Sequence, residues 1–104
     1  MTQELHVDLI DGQFSAEDAR ELLIDLFSRK TNFHEIRNFS SKERFGKEDH
    51  RHVNRIAKLT KNKQQLIQFF NELEKFGKRI SIKSMVEIKV TDEVPAEMEK
   101  GVTA

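Results

Sequence analysis

The stretch RISIKSMVEIKV, residues 79–90, decides the fold class of this chain. Apolar and polar residues alternate along it with a period of two, which is typical of a strand that has one face buried and one in water. The apolar side consists of Ile80, Ile82, Val86, Ile88 and Val90, and the polar side includes Arg79, Ser81, Lys83, Glu87 and Lys89. A sheet with one polar face predicts helices on its other face only.

A second alternating segment lies near the start of the chain. Leu5, Val7 and Leu9 alternate with polar residues, which predicts a strand over residues 3–10. The dipeptide Asp11-Gly12 is typical of a turn and is expected to end this strand. The chain therefore closes a small sheet from its two ends.

A helix start follows at once. The Ser15 side chain is placed to accept hydrogen bonds from free amides, and Asp18 occupies the capping-box position three residues later. An apolar stripe at spacings of three and four comprises Ala19, Leu22, Leu23, Leu26 and Phe27. Arg29 and Lys30 lie where cations favour a helix C-terminus. We predict the first helix over Ala16 to Lys30.

The connection over residues 31–48 is ambiguous. Phe33, Glu35, Arg37 and Phe39 would share one face of a strand, with His34 and Ile36 on the other. This pattern predicts a short strand over residues 33–38, followed by a loop that contains Gly46. With that strand the element order is β-α-β-α-β with right-handed crossovers, and without it β-α-α-β with antiparallel terminal strands.

The second helix is predicted over Glu48 to Phe76 and ends before Gly77, a residue suited to helix termination. Its packing seam at alternating spacings of three and four consists of Ile56, Leu59, Lys63, Leu66, Phe70 and Leu73. At ~1.5 Å per residue this helix would be roughly 40 Å long, so we expect it to overhang the monomer.

Length and composition favour one α/β (α+β two-layer) domain over residues 1–91, with a two- or three-stranded sheet and both helices on one face. Hydrophobic residues make up 37% and charged residues 35%, which predicts a thin core. Residues 92–104 contain Pro95, Gly101 and four acids, and they are predicted to be a disordered acidic tail. The sequence has no cysteine, no apolar run of membrane-spanning length and no signal peptide, so we expect a cytoplasmic protein without membrane contact.

The zero net charge conceals an asymmetry along the chain. Residues 1–28 carry seven acids and one arginine, whereas residues 29–63 carry eleven bases and four acids. The two blocks are complementary and are expected to lie beside one another, either within one subunit or between two. The alternative is a basic surface for phosphates.

No motif predicts an enzyme, a cofactor or a metal. His50 and His52 are two residues apart and would point about 200° apart on a helix, so they cannot share one ion. The acids near the first helix have simpler roles in the turn and the cap. Gly46-Lys47 lacks the other residues of a phosphate-binding loop.

The best binding candidate is the mixture of aromatic and basic residues over Lys30 to Arg55. Its possible surface consists of Phe33, His34, Arg37, Phe39, Arg44, Phe45 and Arg51. Aromatic rings stack on bases and cations neutralise phosphates, as in single-stranded nucleic-acid binders. Because the core is thin, however, we expect the three phenylalanines to be buried, which would remove the stacking surface.

Three segments carry a resemblance to other proteins. They are Leu9-Ile10-Asp11-Gly12-Gln13-Phe14-Ser15, Asn32-Phe33-His34 and Phe39-Ser40-Ser41-Lys42-Glu43-Arg44-Phe45-Gly46. Residues 5–90 resemble a group of small uncharacterised bacterial α/β proteins. The resemblance implies no activity, and it supports a structured connection over Asn32 to Gly46.

The function expected from the sequence is that of a non-enzymatic interaction or structural module that self-associates, in the simplest case as a homodimer. The alternative is a nucleic-acid-binding or regulatory protein that uses the basic segment, residues 30–63.

Overall fold

The structure, a computed structural model, describes residues 3–91. Its elements are β1 (Gln3–Ser15), α1 (Ala16–Phe45), α2 (His50–Leu73), a 3-10 turn (Glu74–Phe76) and β2 (Arg79–Val90). The two strands form an antiparallel sheet, so the order is β-α-α-β. The predicted α+β class is confirmed. The predicted acidic tail, residues 92–104, lies outside the described residues.

The first strand contains a β-bulge that the sequence pattern did not indicate. Val7 lies opposite Val86, and the register shifts between Asp8 and Ile10, so Leu9 is the extra residue. The bulge inserts one residue, so the apolar residues before it are odd-numbered and those after it are even-numbered. Both sets therefore lie on the same face of the sheet. This face, the apolar face of the sheet, carries Leu5, Val7, Ile10 and Phe14 from β1 and Ile80, Ile82, Val86, Ile88 and Val90 from β2.

The predicted end of the first strand at Asp11-Gly12 is wrong. Gly12 lies inside β1 opposite Ile82, and the strand continues to Ser15. The described glycines with positive φ are Gly46 and Gly77, so Gly12 makes no turn here. The continued alternation was hidden because the bulge changes its phase.

The start of α1 agrees with the sequence. The Asp18 amide donates to the Ser15 hydroxyl at 3.0 Å, which satisfies one of the free N–H groups of the first turn. Ala16 and Ala19 are buried on this side of the helix. The predicted capping by Ser15 is confirmed.

The end of α1 differs from the prediction. The helix runs to Phe45 and stops at Gly46, which adopts φ 70° and donates its amide to the Lys42 carbonyl at 2.9 Å. The predicted strand over residues 33–38 is therefore wrong, as is the helix end at Lys30. Neither glycine nor proline interrupts residues 16–45, and the buried face after Lys30 is polar, so it leaves no apolar stripe in the sequence.

The predicted seam of α2 is confirmed. Leu59 and Phe70 are each 2% exposed. The other seam residues, Ile56, Lys63, Leu66 and Leu73, are half-buried. The helix is shorter at both ends than predicted, because it begins at His50 and gives way to the 3-10 turn, which Gly77 ends at φ 61°.

The first half of α2 does not project alone, because the unexpected second half of α1 lies beside it. The two helices form an antiparallel hairpin joined by residues 46–49. None of the helices within residues 3–91 is long and apolar enough to cross a bilayer.

The molecule is extended and flat. Its radius of gyration is 17.1 Å and its extents are 49 × 37 × 15 Å, whereas a compact domain of this length has a radius of gyration of ~13 Å. Among the described residues the buried apolar side chains are Ile10, Ala16, Ala19, Leu59 and Phe70. The core of one copy is therefore small for a stable domain.

Candidate functional site

Two features of the described structure are candidates for function: the tip of the helical hairpin, residues 30–55, and the apolar face of the sheet. The tip contains the residues predicted from the sequence to form a binding surface. The apolar face is built from the two alternating segments, residues 3–15 and 79–90.

The tip is held together by polar contacts between α1 and the start of α2. The Asn38 amide oxygen accepts a hydrogen bond from the Asp49 backbone at 2.8 Å. The Asp49 carboxylate in turn accepts hydrogen bonds from the backbone and guanidinium of Arg51, the closest at 2.9 Å. Asp49 thus caps the free amides at the start of α2 while it is itself fixed to α1.

A histidine pair lies at the centre of the tip. The Nδ1 atoms of His34 and His52 are 2.8 Å apart, and the His34 side chain is 3% exposed. One imidazole donates its proton to the lone pair of the other, so this contact requires that at least one ring be neutral. Phe33 packs edge-on against both rings at 5.2 and 6.4 Å between centroids.

The electrostatics of the tip disfavour a second proton on the pair. Burial lowers the pKa of His52; the Asp49 carboxylate acts in the opposite direction, and repulsion from His34, Arg51 and Arg37 lowers the pKa further. The hydrogen bond from Arg51 lowers the pKa of Asp49, so that carboxylate stays charged. Burial likewise lowers the pKa of Lys30, with a contribution from Arg55.

We expect this arrangement to make stability fall below neutral pH. Above pH 6.5 both folded and unfolded chains hold a neutral His52, whereas below it the unfolded chain takes up a proton that the folded chain resists. The free energy of unfolding should therefore fall from pH 6.5 down to the lowered pKa of His52 and then level off. For one excluded proton the slope is at most about 1.4 kcal/mol per pH unit.

Urea unfolding between pH 5 and pH 8 measures this dependence. His52→Asn should flatten the curve, because it removes the imidazole whose pKa burial lowers, while the asparagine amide can still bond His34 Nδ1. His50→Asn is the matched control, since His50 is exposed at the start of α2. The same pH slope in both variants and in the native chain would contradict the assignment.

The structure corrects the expectation that the phenylalanines are buried. Phe33, Phe39 and Phe45 are 44, 62 and 70% exposed. The Arg37 guanidinium lies over the Phe33 ring, 5.1 Å from its centroid. The stacking surface is therefore not removed by burial.

The three rings nevertheless do not form one platform. They are spaced six residues apart on the continuous helix α1, and six residues turn a helix by about 600°, which is 240° beyond a full turn. Phe33, Phe39 and Phe45 therefore point in three different directions. A strand of stacked bases needs successive rings on one side.

Three further basic side chains of the tip either form ion pairs with nearby acids or lie far from the Phe33 ring. Arg51 forms an ion pair with Asp49 at 2.9 Å, and Lys42 lies 3.6 Å from Glu48. Arg44 lies in the last turn of α1, about three turns beyond Phe33. The structure thus brings together Phe33, His34, Arg37 and Arg51, and leaves Phe39, Arg44 and Phe45 apart from that cluster.

The histidine that lies next to His52 is not His50, its neighbour in the sequence. His52 contacts His34 rather than His50, and within residues 3–91 no group of three or more His, Asp or Glu side chains is placed to hold a metal. The signal for His34 was its spacing of four from Lys30, which continues the inward stripe of α1. It was missed because the helix was predicted to end at Lys30.

The apolar face of the sheet is covered only at one end. Ile10, next to the start of α1, is 7% exposed, and α1 contacts both strands. Towards the far end, exposure rises to 55% at Leu5, 44% at Ile88 and 52% at Val90. We call the two-stranded sheet the ribbon, and its far end, residues 3–7 and 86–90, the uncovered half of the ribbon.

On the opposite, polar face of the ribbon, acidic and basic side chains of the same chain lie beside one another. Glu4 lies opposite Lys89 and Asp11 lies opposite Lys83, so unlike charges face each other across the strands. The Glu87 carboxylate also lies 3.2 Å from Lys89. The polar face needs no partner, whereas the uncovered half exposes a row of aliphatic side chains to water.

No family model, curated protein or solved structure matches this chain.

Proposed function

We propose that this chain is a non-enzymatic interaction module whose first partner is a second copy of itself. The observation that carries the proposal is the uncovered half of the ribbon. A two-stranded ribbon is marginally stable in water unless its apolar face packs against something, and α1 reaches only one end of it.

Covering this half supplies a driving force for a dimer. Leu5, Val7, Ile88 and Val90 are each 43–55% exposed. Burying the exposed half of such side chains contributes on the order of 1 kcal/mol each, hence on the order of 8 kcal/mol for two copies before the entropic cost of association. A micromolar complex needs a net free energy of about 8 kcal/mol, so further contacts, such as hydrogen bonds between strands, must offset the cost of association.

The polar groups of the tip support a structural role rather than a catalytic one. His34 with His52, and Asn38 with Asp49, are paired across the hairpin, where they join α1 to α2. Such contacts fix the register of two helices whose facing sides are polar at this end.

Nucleic-acid binding is the second candidate, and the exposure of Phe33 beside Arg37 favours it. The three directions of the phenylalanines and the local pairing of Arg51 rank it below self-association. A basic surface of this kind would also bind with strong salt dependence.

Light scattering coupled to size exclusion tests the proposed function. We expect a mass of twice the 12.2 kDa of one chain at micromolar concentration, because the uncovered half is then buried. A monomer mass across the accessible concentration range would contradict self-association.

A further inference from the structure

The ribbon has two outer edges, and they differ in regularity. Within residues 3–91 each strand pairs only with the other, so the outer backbone groups of both strands are open to a further strand. β1 is interrupted by its bulge, whereas β2 runs without irregularity from Arg79 to Val90. A regular edge is the better template for adding a strand.

Charge also separates the two edges. The sequence of β1 contains three acids, Glu4, Asp8 and Asp11, and neither lysine nor arginine. Two copies joined through β1 would have no cation to place opposite these acids. β2 carries Arg79, Lys83 and Lys89 together with Glu87, so two copies of β2 can place unlike charges opposite each other.

The register of a β2 pair follows from its faces and charges. Two antiparallel copies keep their apolar residues on one face only when opposing residues are both odd-numbered or both even-numbered. With Met85 at the centre, Lys83 lies opposite Glu87 of the second copy and Ile82 lies opposite its Ile88. Centring the pair on Ser84 instead would place Arg79 opposite Lys89, and centring it on Val86 would place Lys83 opposite Lys89. Both of these registers bring like charges together.

This register also covers the uncovered half. The two-fold axis that relates antiparallel neighbours is perpendicular to the sheet, so both copies present their helices on the same face. Because the strands run in opposite directions, the helix-covered end of one copy lies beside the uncovered half of the other. Each copy thus brings its helix-covered end next to the half that the other copy leaves uncovered.

We propose that a second copy of this chain joins through β2, antiparallel and centred on Met85, to form a four-stranded sheet in the order β1-β2-β2-β1 with all four helices on one face. This inference rests on the proposed self-association and specifies its geometry. The partner is identical, and the interface is closed by a two-fold axis.

Engineered cysteines test the register, because the chain has no cysteine and any disulfide must join two copies. Met85→Cys places two sulfur-bearing residues directly opposite each other at a separation that a disulfide spans. Lys89→Cys and Ser81→Cys are exposed on the same face of β2, but each would lie about 26 Å from its own copy, at ~3.3 Å per residue. We expect Met85→Cys to cross-link at least about tenfold faster than either control alone.

An equimolar mixture of the two control variants supplies the second measurement. Ser81 lies opposite Lys89 of the second copy in this register, so the mixture should cross-link as a heterodimer although neither variant does so alone. Dimers that form by light scattering without this pattern would overturn the β2 register and leave self-association intact. Monomers in every variant and in the native chain would overturn both.

Discussion

We expect Phe70→Ala to destabilise the protein by about 3–5 kcal/mol, the usual cost of replacing a buried phenylalanine by alanine. Phe70 is 2% exposed and belongs to the α2 seam, in which Leu59 is buried to the same extent. Because few side chains are fully buried, a single cavity removes a large share of the total free energy of unfolding.

Phe69→Ala is the matched control for this change. Phe69 directly precedes Phe70 in α2, is 58% exposed and contacts the Phe70 ring edge-on, with 5.5 Å between the ring centroids. Its loss should cost about 1 kcal/mol, the contribution of an aromatic pair. Urea unfolding followed by circular dichroism at one fixed protein concentration compares the two variants. Equal effects at the two positions would contradict the assignment of the seam.

We expect Ile88→Asp to weaken the proposed self-association at least about a hundredfold, which corresponds to about 3 kcal/mol. Ile88 lies in the uncovered half of the ribbon and is 44% exposed in one copy, so the monomer tolerates a charge there. In the proposed dimer the same carboxylate would be removed from water without a partner, which is costly.

The control for Ile88→Asp introduces the same charge on the other face. Gln13 is exposed on the polar face of β1, away from the β2 edge, so Gln13→Asp should leave the dimer intact. Sedimentation or light scattering over a dilution series gives the dissociation constants. A dimer that tolerates Ile88→Asp as well as Gln13→Asp would show that the apolar face is not part of the interface.

The elements predicted correctly are those whose buried side is apolar or whose ends carry a local signal. Alternation over residues 79–90 predicted β2, the seam through Leu59 and Phe70 predicted α2, and Ser15 predicted the start of α1. Each of these signals lies within a single helix or strand, so it can be interpreted without knowledge of the rest of the fold.

The candidate site was predicted only in part, because some of its contacts join residues that are far apart in the sequence. Phe33, His34 and Arg37 were selected as a group and do lie together, but the pairing of His34 with His52 joins residues 18 positions apart. The exposure of Phe39 and Phe45 follows from the extension of α1, which turns successive rings to different sides.

By itself the sequence determined the class of the fold, the amphipathic ribbon and the apolar seam of α2, because apolar burial leaves a period that can be recognised within one segment. Only the tertiary structure decided that α1 continues to Phe45, that Leu9 is a bulge, and that half of the ribbon lacks a cover. The inward side of α1 beyond Lys30 is polar, and polar groups such as His34 and Asn38 are stable there only because α2 and the loop before it supply their hydrogen-bond partners.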